Sequence, residues 1–391
     1  MDFNKTGKIL ISCALKAVPY LRKELAESGF IVHNEGPASV ESEGTLNDCI
    51  KLNINLRTAN RVTYLISKFP ATDPDELYQQ VKTKIIWNDA VDLSGYFSVS
   101  SYADNPSINN TMFVNQRCKD AIADYFFEQH KNRPASGPEK NKTVIYVYWK
   151  DNFVSVYLDT SGESLTKHGY RKISFLAPLQ ESLAASIVLA SSWDKNSHFI
   201  NPMCGSGTLA IEAALIGANR ANGLLRDNYG FMHIKGYDET IYFEARNKAK
   251  EKVKKKLLFR IIATDHNPKA VTAARQNAIT AGVHDLIEFK VCDFSETEIP
   301  SGNGVVIFNP PYGDRIGEEK DLENVYTSIG DFFKKKCKGY TGYVFTANAA
   351  LAKKIGLRTK RKIEFYNAKN ECRLLEFELY EGTKKAIKNA E

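Results

Sequence analysis

The sequence predicts an α/β chain in which a doubly wound domain follows an α+β module, and three observations carry that prediction. From about Ser182 onward, short apolar runs alternate with longer helical patterns, as in a mostly parallel sheet with crossover helices. Before that point strands and helices mix without a sustained βαβ rhythm. A glycine-rich turn, Asn201-Pro202-Met203-Cys204-Gly205-Ser206-Gly207-Thr208, joins the first strand of the later half to its helix. Open α/β sheets bind ligands at such carboxyl ends of strands.

Each element follows in order. KILISC reads as a strand. PYLRKELAESG reads as a helix with Pro19 near its start, Leu21 and Leu25 on one face and Gly29 at its stop. LNDCIKLNINLRTANRVTYLISKF gives a helix, a basic turn at Arg57 and Arg61, and a strand. YFSVS alternates as a strand. In VNQRCKDAIADYFFEQH the residues Val114, Cys118, Ala121, Ile122 and Tyr125 form a helical stripe. KTVIYVYWKDNFVSVYLDTSG is two strands around Lys150-Asp151-Asn152, a hairpin. The later half pairs HFINP with GTLAIEAALIG, FRIIATD with NPKAVTAARQNAITAG, LIEFKVCD with a loop, and GVVIFNPPYG with LENVYTSIGDFFKKK. YTGYVFTAN then leads to AALAKKIG, and KIEFYN and LLEFELY close the set. An extra basic helix is expected at about Tyr242 to Leu257.

At 391 residues the chain has room for two or three domains of roughly 150 residues. Seven cysteines are scattered, odd in number and form no CxxC pair. That favours reduced thiols in a cytoplasmic protein over a disulfide frame or a zinc site, so no metal is expected. The N-terminus lacks the apolar core of a signal peptide. No run reaches the ~18 apolar residues of a membrane span, so no membrane partner is expected. Residues 1–165 carry 18 Lys+Arg against 20 Asp+Glu, and the remainder 35 against 26. A basic second half is compatible with a nucleic-acid partner, although the densest cluster, RNKAKEKVKKK, also reads as a solvated helix face.

The glycine turn admits several readings. A P-loop would need a Lys before the Ser/Thr, which is absent. Gly205, Gly207 and Ala210 satisfy GxGxxG/A, but a dinucleotide site expects an acid about 20 residues on, and the acid here is the distant Asp265. A plain structural turn also fits. Three strand-end residues add weight: Asp265 after IIAT, where a carboxylate can take two ribose hydroxyls; Asp293 in Cys292-Asp293-Phe294, where one can accept from an adenine amino group; and Asn309 after VVIF. These fall on successive strand ends, where ligands bind.

MCGSGT, TDHNP, VCDF and NPPY resemble the motifs of class I S-adenosyl-L-methionine-dependent methyltransferases of the exocyclic-amine type. LDTSGESLTKHGYR, APLQESLAAS, NPMCGSGTLAIEAA and NPPYGDRIGEE extend the likeness, with NLRTANRV and VNQRCKDAIADYF upstream. Together they resemble the bacterial 23S rRNA guanine-N2 methyltransferase family over nearly the whole chain. The resemblance implies a Rossmann-like doubly wound class I methyltransferase domain (182–381) preceded by an α+β ferredoxin-like/THUMP RNA-binding module. That module comprises a ferredoxin-like segment (1–65) and an overlapping THUMP domain (46–160), joined by a linker (161–181); a tail (382–391) follows. It implies S-adenosyl-L-methionine as cofactor, and ribosomal RNA, 23S or in an assembling large subunit, as partner. Two residues depart from the family pattern: His168 stands where Arg usually precedes GYR, and Ala368 replaces a common Gly. The second methyltransferase domain of some fused relatives is not expected, which implies one reaction per chain.

The same resemblance assigns sites. Asn309, Pro310, Pro311 and Tyr312 form the catalytic turn. The Asn309 side-chain oxygen and the Pro310 carbonyl accept the amine hydrogens, the prolines fix the backbone and Tyr312 stacks on a base rotated out of its helix. Cofactor residues would be Pro178, Leu179, Pro202, Met203, Cys204, Gly205, Ser206, Gly207, Thr208, Asp265, His266, Asp293, Phe294 and Asn309. Tyr170, Arg171, Lys172 and Arg315 would face RNA, and Arg117, Lys119, Lys131 and Arg133 would meet phosphates on the THUMP side. Two other readings remain: an N6-adenine methyltransferase on DNA or RNA, which shares the NPPY turn, and a non-catalytic RNA-binding or ribosome-assembly factor.

Overall fold

A computed structural model describes residues 1–105, 108, 110–174, 179–312 and 319–380. The chain folds into two compact units. One gathers Met1–Cys13, Leu21–Leu165 and Asn222–Glu251; the other gathers Ala14–Tyr20, Thr166–Ala221 and the chain from Lys252 on.

Chain order begins β1 (Gly7–Cys13), α1 (Val18–Glu27), β2 (Val32–Glu35), β3 (Ser39–Gly44), α2 (Leu46–Asn55) and β4 (Ala59–Pro70). It continues α3 (Pro74–Lys84), β5 (Tyr96–Asp104), α4 (Thr111–His130), β6 (Ala135–Ser136), β7 (Thr143–Lys150) and β8 (Phe153–Asp159). These strands form one eight-stranded sheet in the order β2-β3-β1-β4-β8-β7-β5-β6. Ile9 and Ile11 alternate into the core with Leu21 and Leu25. Along α4 the buried stripe is Val114, Cys118, Ala121, Ile122 and Phe126. Phe126, four residues on from Ile122, takes the last place in the stripe, and its neighbour Tyr125 is only half-buried.

The basic turn expected at Arg57 and Arg61 is different. Arg61 lies inside β4 and its guanidinium pairs with the buried Asp159 carboxylate. Arg57 is 9% exposed and donates to Asn222 Oδ1 at 3.0 Å. A buried carboxylate needs a compensating cation, and that requirement draws Arg61 into the sheet.

Helix α2 starts on a capping box: Thr45 Oγ1 accepts from the Asp48 N–H, and Asp48 Oδ2 accepts from the Thr45 N–H at 3.0 Å. Burial raises the Asp48 carboxyl, but the bonds from Lys51 and Thr45 outweigh it and hold the group below the usual carboxylate range. A depressed carboxyl contributes stability above its unfolded pKa, and that contribution is lost as pH falls through the folded value. Asp48→Ala should therefore cost about 1 kcal/mol at pH 7. Urea midpoints of variant and parent should converge in acid.

The second unit is built on α5 (Glu181–Ala190), β9 (His198–Pro202) and α6 (Thr208–Gly217). Next in the chain, α7 (Glu239–Glu251) belongs to the first unit, where it packs on α2. The expected basic helix thus starts earlier and ends sooner: Lys252, Lys254, Lys255 and Lys256 lie beyond it. Like charges one turn apart oppose helix continuation. The chain proceeds through β10 (Ile261–Asp265), α8 (Pro268–Ala281), β11 (Glu288–Val291), β12 (Gly304–Phe308), α9 (Glu319–Lys336), β13 (Tyr340–Thr346), α10 (Ala349–Lys354), β14 (Arg361–Asn367) and β15 (Asn370–Glu378).

These strands order as β11-β10-β9-β12-β13-β15-β14. The first five run parallel, and β15 is antiparallel to both β13 and β14. This is the doubly wound sheet the alternating pattern predicts. The strand order reverses between β9 and β12, the switch point where such sheets open a crevice at their carboxyl ends. Helix α6 is buried throughout and apolar apart from Thr208 and Glu212, as a helix inside a large core must largely be.

Candidate active site

The glycine turn leaves β9 through Met203, whose φ is 54°, and Cys204, whose N–H donates to Thr264 O at 2.9 Å. Gly205 takes φ +54°, and a Cβ there would meet no atom within 4 Å. Gly207 takes φ +83°, and a Cβ there would lie 2.8 Å from the Ala274 Cβ. The first glycine therefore leaves open space for a ligand above the backbone, and the second permits α8 to approach. Ser206 and Thr208 are buried at the start of α6, where free N–H groups favour an anionic or polar ligand. Burial and the neighbouring Asp265 push the Cys204 thiol up, so it is an inert wall of the turn.

Asn201, just before Pro202, is 1% exposed and ties the two strands at the switch point: its Nδ2 donates to Ile307 O at 2.9 Å. Its Oδ1 is buried without a hydrogen-bond partner among the described residues. A buried acceptor left open beside a glycine cradle is a place for a ligand's donor group. Open space above Gly205, that acceptor and the strand-end acids together fit S-adenosyl-L-methionine.

Asp265 ends β10 and is 8% exposed. Its Oδ2 accepts from the Gly205 N–H at 3.0 Å, and its Oδ1 from the Asn267 N–H at 2.9 Å. Each carboxylate oxygen retains a second lone pair for a hydroxyl, so Asp265 can shape the turn and receive a ligand. His266 is exposed, with its Nδ1 3.6 Å from Asp265 Oδ1. Asp293 is exposed past β11, and its Oδ1 accepts from the Ser295 N–H at 2.9 Å and hydroxyl at 2.6 Å. Phe294 differs from its ligand-facing assignment. It is 8% exposed and sits edge-on to Phe308 at 5.6 Å and Phe332 at 6.0 Å; an apolar ring beside a strand end gains more from that core than from water.

Asn309 is half-buried at the end of β12, Pro310 is buried, Pro311 exposed and Tyr312 half-buried. The turn is anchored by Phe308, fully buried edge-on against Phe332 and Phe333. Because β9 and β12 are adjacent, the topology brings the Asn309 turn and the glycine turn to neighbouring strand ends.

The segment before α5 corrects two RNA-facing assignments. Tyr170 is fully buried, and burial with the Glu212 and Glu181 carboxylates pushes its phenol well up. Arg171 Nη2 donates to Leu179 O at 2.5 Å and Thr208 Oγ1 at 3.0 Å, and its Nε lies 3.8 Å from Glu181. The cause is a pair of buried acids, Glu181 and Glu212, that require polar partners inside. His168 answers the same demand: its Nδ1 is 2.7 Å from Glu212 Oε1, so the residue that departs from the family pattern is a core partner. Leu179 is buried beside this cluster. Lys172 remains exposed. Pro178 and Arg315 lie outside the described residues.

Two residues escaped the sequence assignments, Asn201 described above and Asn277. Asn277 on α8 is fully buried and uses its whole amide. It accepts from the Lys172 and Ile173 N–H groups at 2.9 and 3.0 Å, and donates to Ile173 O at 2.9 Å and Ser206 O at 3.2 Å. It thereby fastens the 172–173 strap to the glycine turn. The available signal was a polar amide on the apolar face of an alanine-rich helix.

On the THUMP-side candidates, Arg117 pairs with Asp75 and lies 4.7 Å over the Tyr78 ring. Arg133 pairs with Asp124 at 2.7 Å over Phe127, and Lys131 covers the same ring at 5.7 Å. Lys119 is half-buried. By contrast Lys252, Lys254, Lys255 and Lys256 are exposed, with no acidic partner among the described residues.

Comparison with known proteins places the chain. The model of the UPF0020 family, described as RMKL-like, methyltransferase domain, matches residues 168–376. The RlmL ferredoxin-like domain matches residues 8–63 and the THUMP domain residues 71–159. The chain is 35% identical over 375 residues to a ribosomal RNA large subunit methyltransferase K/L of Syntrophotalea carbinolica, covering 93% of this chain and 52% of that protein. A protein of the same name from a Marinomonas species is also 35% identical, with 95% and 53% covered. The chain therefore spans about half the length of the curated relatives it matches. A protein described as a putative methyltransferase and crystallised in complex with SAH superposes with a TM-score of 0.86 at 29% identity, covering 97% of this chain and 100% of that one. A predicted N6-adenine-specific DNA methylase from Listeria monocytogenes gives 0.85 at 29%, covering 95% and 96%. The chain belongs to the UPF0020 family of RMKL-like methyltransferase domains, preceded by an RlmL ferredoxin-like domain and a THUMP domain.

Proposed function

We propose that the chain methylates ribosomal RNA, transferring a methyl group to the exocyclic N2 of a guanine in 23S rRNA, with S-adenosyl-L-methionine as cofactor. The observation that carries this reading is the Asn309-Pro310-Pro311-Tyr312 turn on the strand next to the glycine turn, across the switch point. The names of the relatives, large-subunit rRNA methyltransferases, and the THUMP domain support RNA as substrate.

An exocyclic amine is a poor nucleophile because its lone pair is delocalised into the ring. Asn309 Oδ1 and the Pro310 carbonyl each accept one amine hydrogen, which favours a tetrahedral nitrogen and stabilises the positive charge that develops there. Pro310 and Pro311 fix φ and hold that carbonyl. Tyr312 offers its ring face to a base rotated out of its helix. The cofactor, when bound, supplies an activated methyl group. Asn201, Gly205, Asp265 and Asp293 hold it, and the methylated nitrogen releases one proton to water, so no dedicated base is needed. Positioning is the main work of the protein.

The four lysines between Lys252 and Lys256 are the phosphate contacts this reading favours, since Arg117 and Arg133 are already paired. Replacing all four by Gln should reduce the salt dependence of RNA affinity by about 3 in log–log slope, measured by filter binding between low and physiological salt. The substrate itself is tested by nucleoside mass spectrometry of 23S rRNA from a strain lacking the gene. Loss of one N2-methylguanosine is expected; an unchanged level contradicts the reading. Loss of an N6-methyladenosine would instead favour adenine, the base named for the Listeria neighbour.

A further inference from the structure

The β14–β15 hairpin and the start of α10 both reach the Asn309 turn. Asn367 ends β14, opposite Asn370 across a two-residue tip of Ala368 and Lys369. Ala368 holds φ 55°, a left-handed position that glycine adopts without cost. Asn367 Nδ2 donates to the Tyr312 phenol oxygen at 3.2 Å. Asn348, the N-cap of α10, donates from its Nδ2 to the Tyr312 carbonyl at 3.4 Å.

Asn348 is itself held. Its Oδ1 accepts from the Ala350 and Leu351 N–H groups, each at 3.0 Å. Its own N–H donates to Thr346 Oγ1 at 3.1 Å, and that hydroxyl lies 2.8 Å from the buried Tyr326 OH. The chain entering Tyr312 is constrained by Pro311, whose ring fixes φ. Tyr312 is therefore gripped at its backbone by Asn348 and at the far end of its ring by Asn367.

We propose that Asn367 and Asn348 are positioning residues that set the plane of the Tyr312 ring for the incoming base. This rests on the reading of Asn309–Tyr312 as the catalytic turn. A ring that must receive a base at one angle gains from having both ends fixed, because small errors of placement are costly in rate. A phenol rather than a phenyl ring is required only if its oxygen is used, and the oxygen is bonded here. Asn367 touches neither the glycine turn nor the strand-end acids in any hydrogen bond among the described residues, so its loss should leave cofactor affinity alone.

The test is a double-mutant cycle on methyl transfer to ribosomal RNA, with SAH binding measured by calorimetry. Tyr312→Phe and Asn367→Ala are each expected to lower kcat by about 10-fold, with SAH Kd and melting temperature unchanged. The double variant should lose no more than either single one, since both remove the same bond. Asn367→Asp, whose carboxylate can accept from the phenol, should recover most of the rate. Multiplicative losses, or an Asn367→Ala enzyme with parental kcat, would overturn the clamp. Asn309→Ala is measured in parallel. If that variant alone keeps full turnover, the catalytic-turn reading fails; if it is inactive while the cycle is multiplicative, only the clamp fails.

Discussion

Asn309→Ala is expected to lower the rate of methyl transfer by about 10²–10³-fold, the usual consequence of removing one preorganised hydrogen-bonding group at developing charge. The side chain sits half-buried at the end of β12, and Ala removes the acceptor without disturbing the neighbouring prolines or the Phe308 anchor. SAH affinity should change by no more than about 3-fold, because the proposed cofactor site also includes the glycine turn, Asn201, Asp265 and Asp293. A loss confined to kcat marks an interaction made in the transition state. Single-turnover kinetics with excess enzyme, beside calorimetry with SAH, separate the two quantities. A variant of undiminished rate would remove Asn309 from the mechanism.

Asn277→Ala is expected to be the most damaging change outside the proposed catalytic turn. Four hydrogen bonds disappear at once: the buried one to Ser206 O, and three part-buried ones to Ile173 O and two strap N–H groups, where water can replace part of the loss. Each orphaned buried group costs about 1–3 kcal/mol, partly recovered by relaxation, so a net loss of about 2–5 kcal/mol follows. At the scale of a domain this size that lowers Tm by roughly 5–15 °C. The glycine turn loses its tether to α8 together with the strap, so SAH affinity should fall by at least about 10-fold. Thermal melts with and without SAH measure both effects. Parental stability and affinity together would mean that the strap and the turn are held by other groups.

The doubly wound half was readable because its central strands β9, β10 and β12 are compact apolar runs that end beside residues of distinct chemistry. The order glycine turn, Asp265, Asp293, Asn309 therefore mapped onto successive strand ends, whereas Asn201 was not among the assigned residues. What escaped the sequence is long-range compensation. GYR reads as an exposed basic motif until Glu181 and Glu212 are known to be buried, after which Tyr170 and Arg171 must turn inward. Asn277 looks like a neutral residue in an alanine-rich helix, and its partners lie 71 to 105 positions away in the chain. Arg61 follows the same logic, drawn into a strand by Asp159. Phe294 followed a motif to the ligand side and went to the core, where two phenylalanines await it. Local pattern reports the periodicity of an element; it carries no record of which distant charge that element must neutralise.

The most direct measurement is transfer of a labelled methyl group from S-adenosyl-L-methionine to large-subunit ribosomal RNA by the purified chain, followed by mapping of the labelled nucleotide. Label in N2-methylguanosine at a single position, absent with Asn309→Ala, is the predicted result. Label in N6-methyladenosine, or no transfer to RNA from the intact chain, would contradict it.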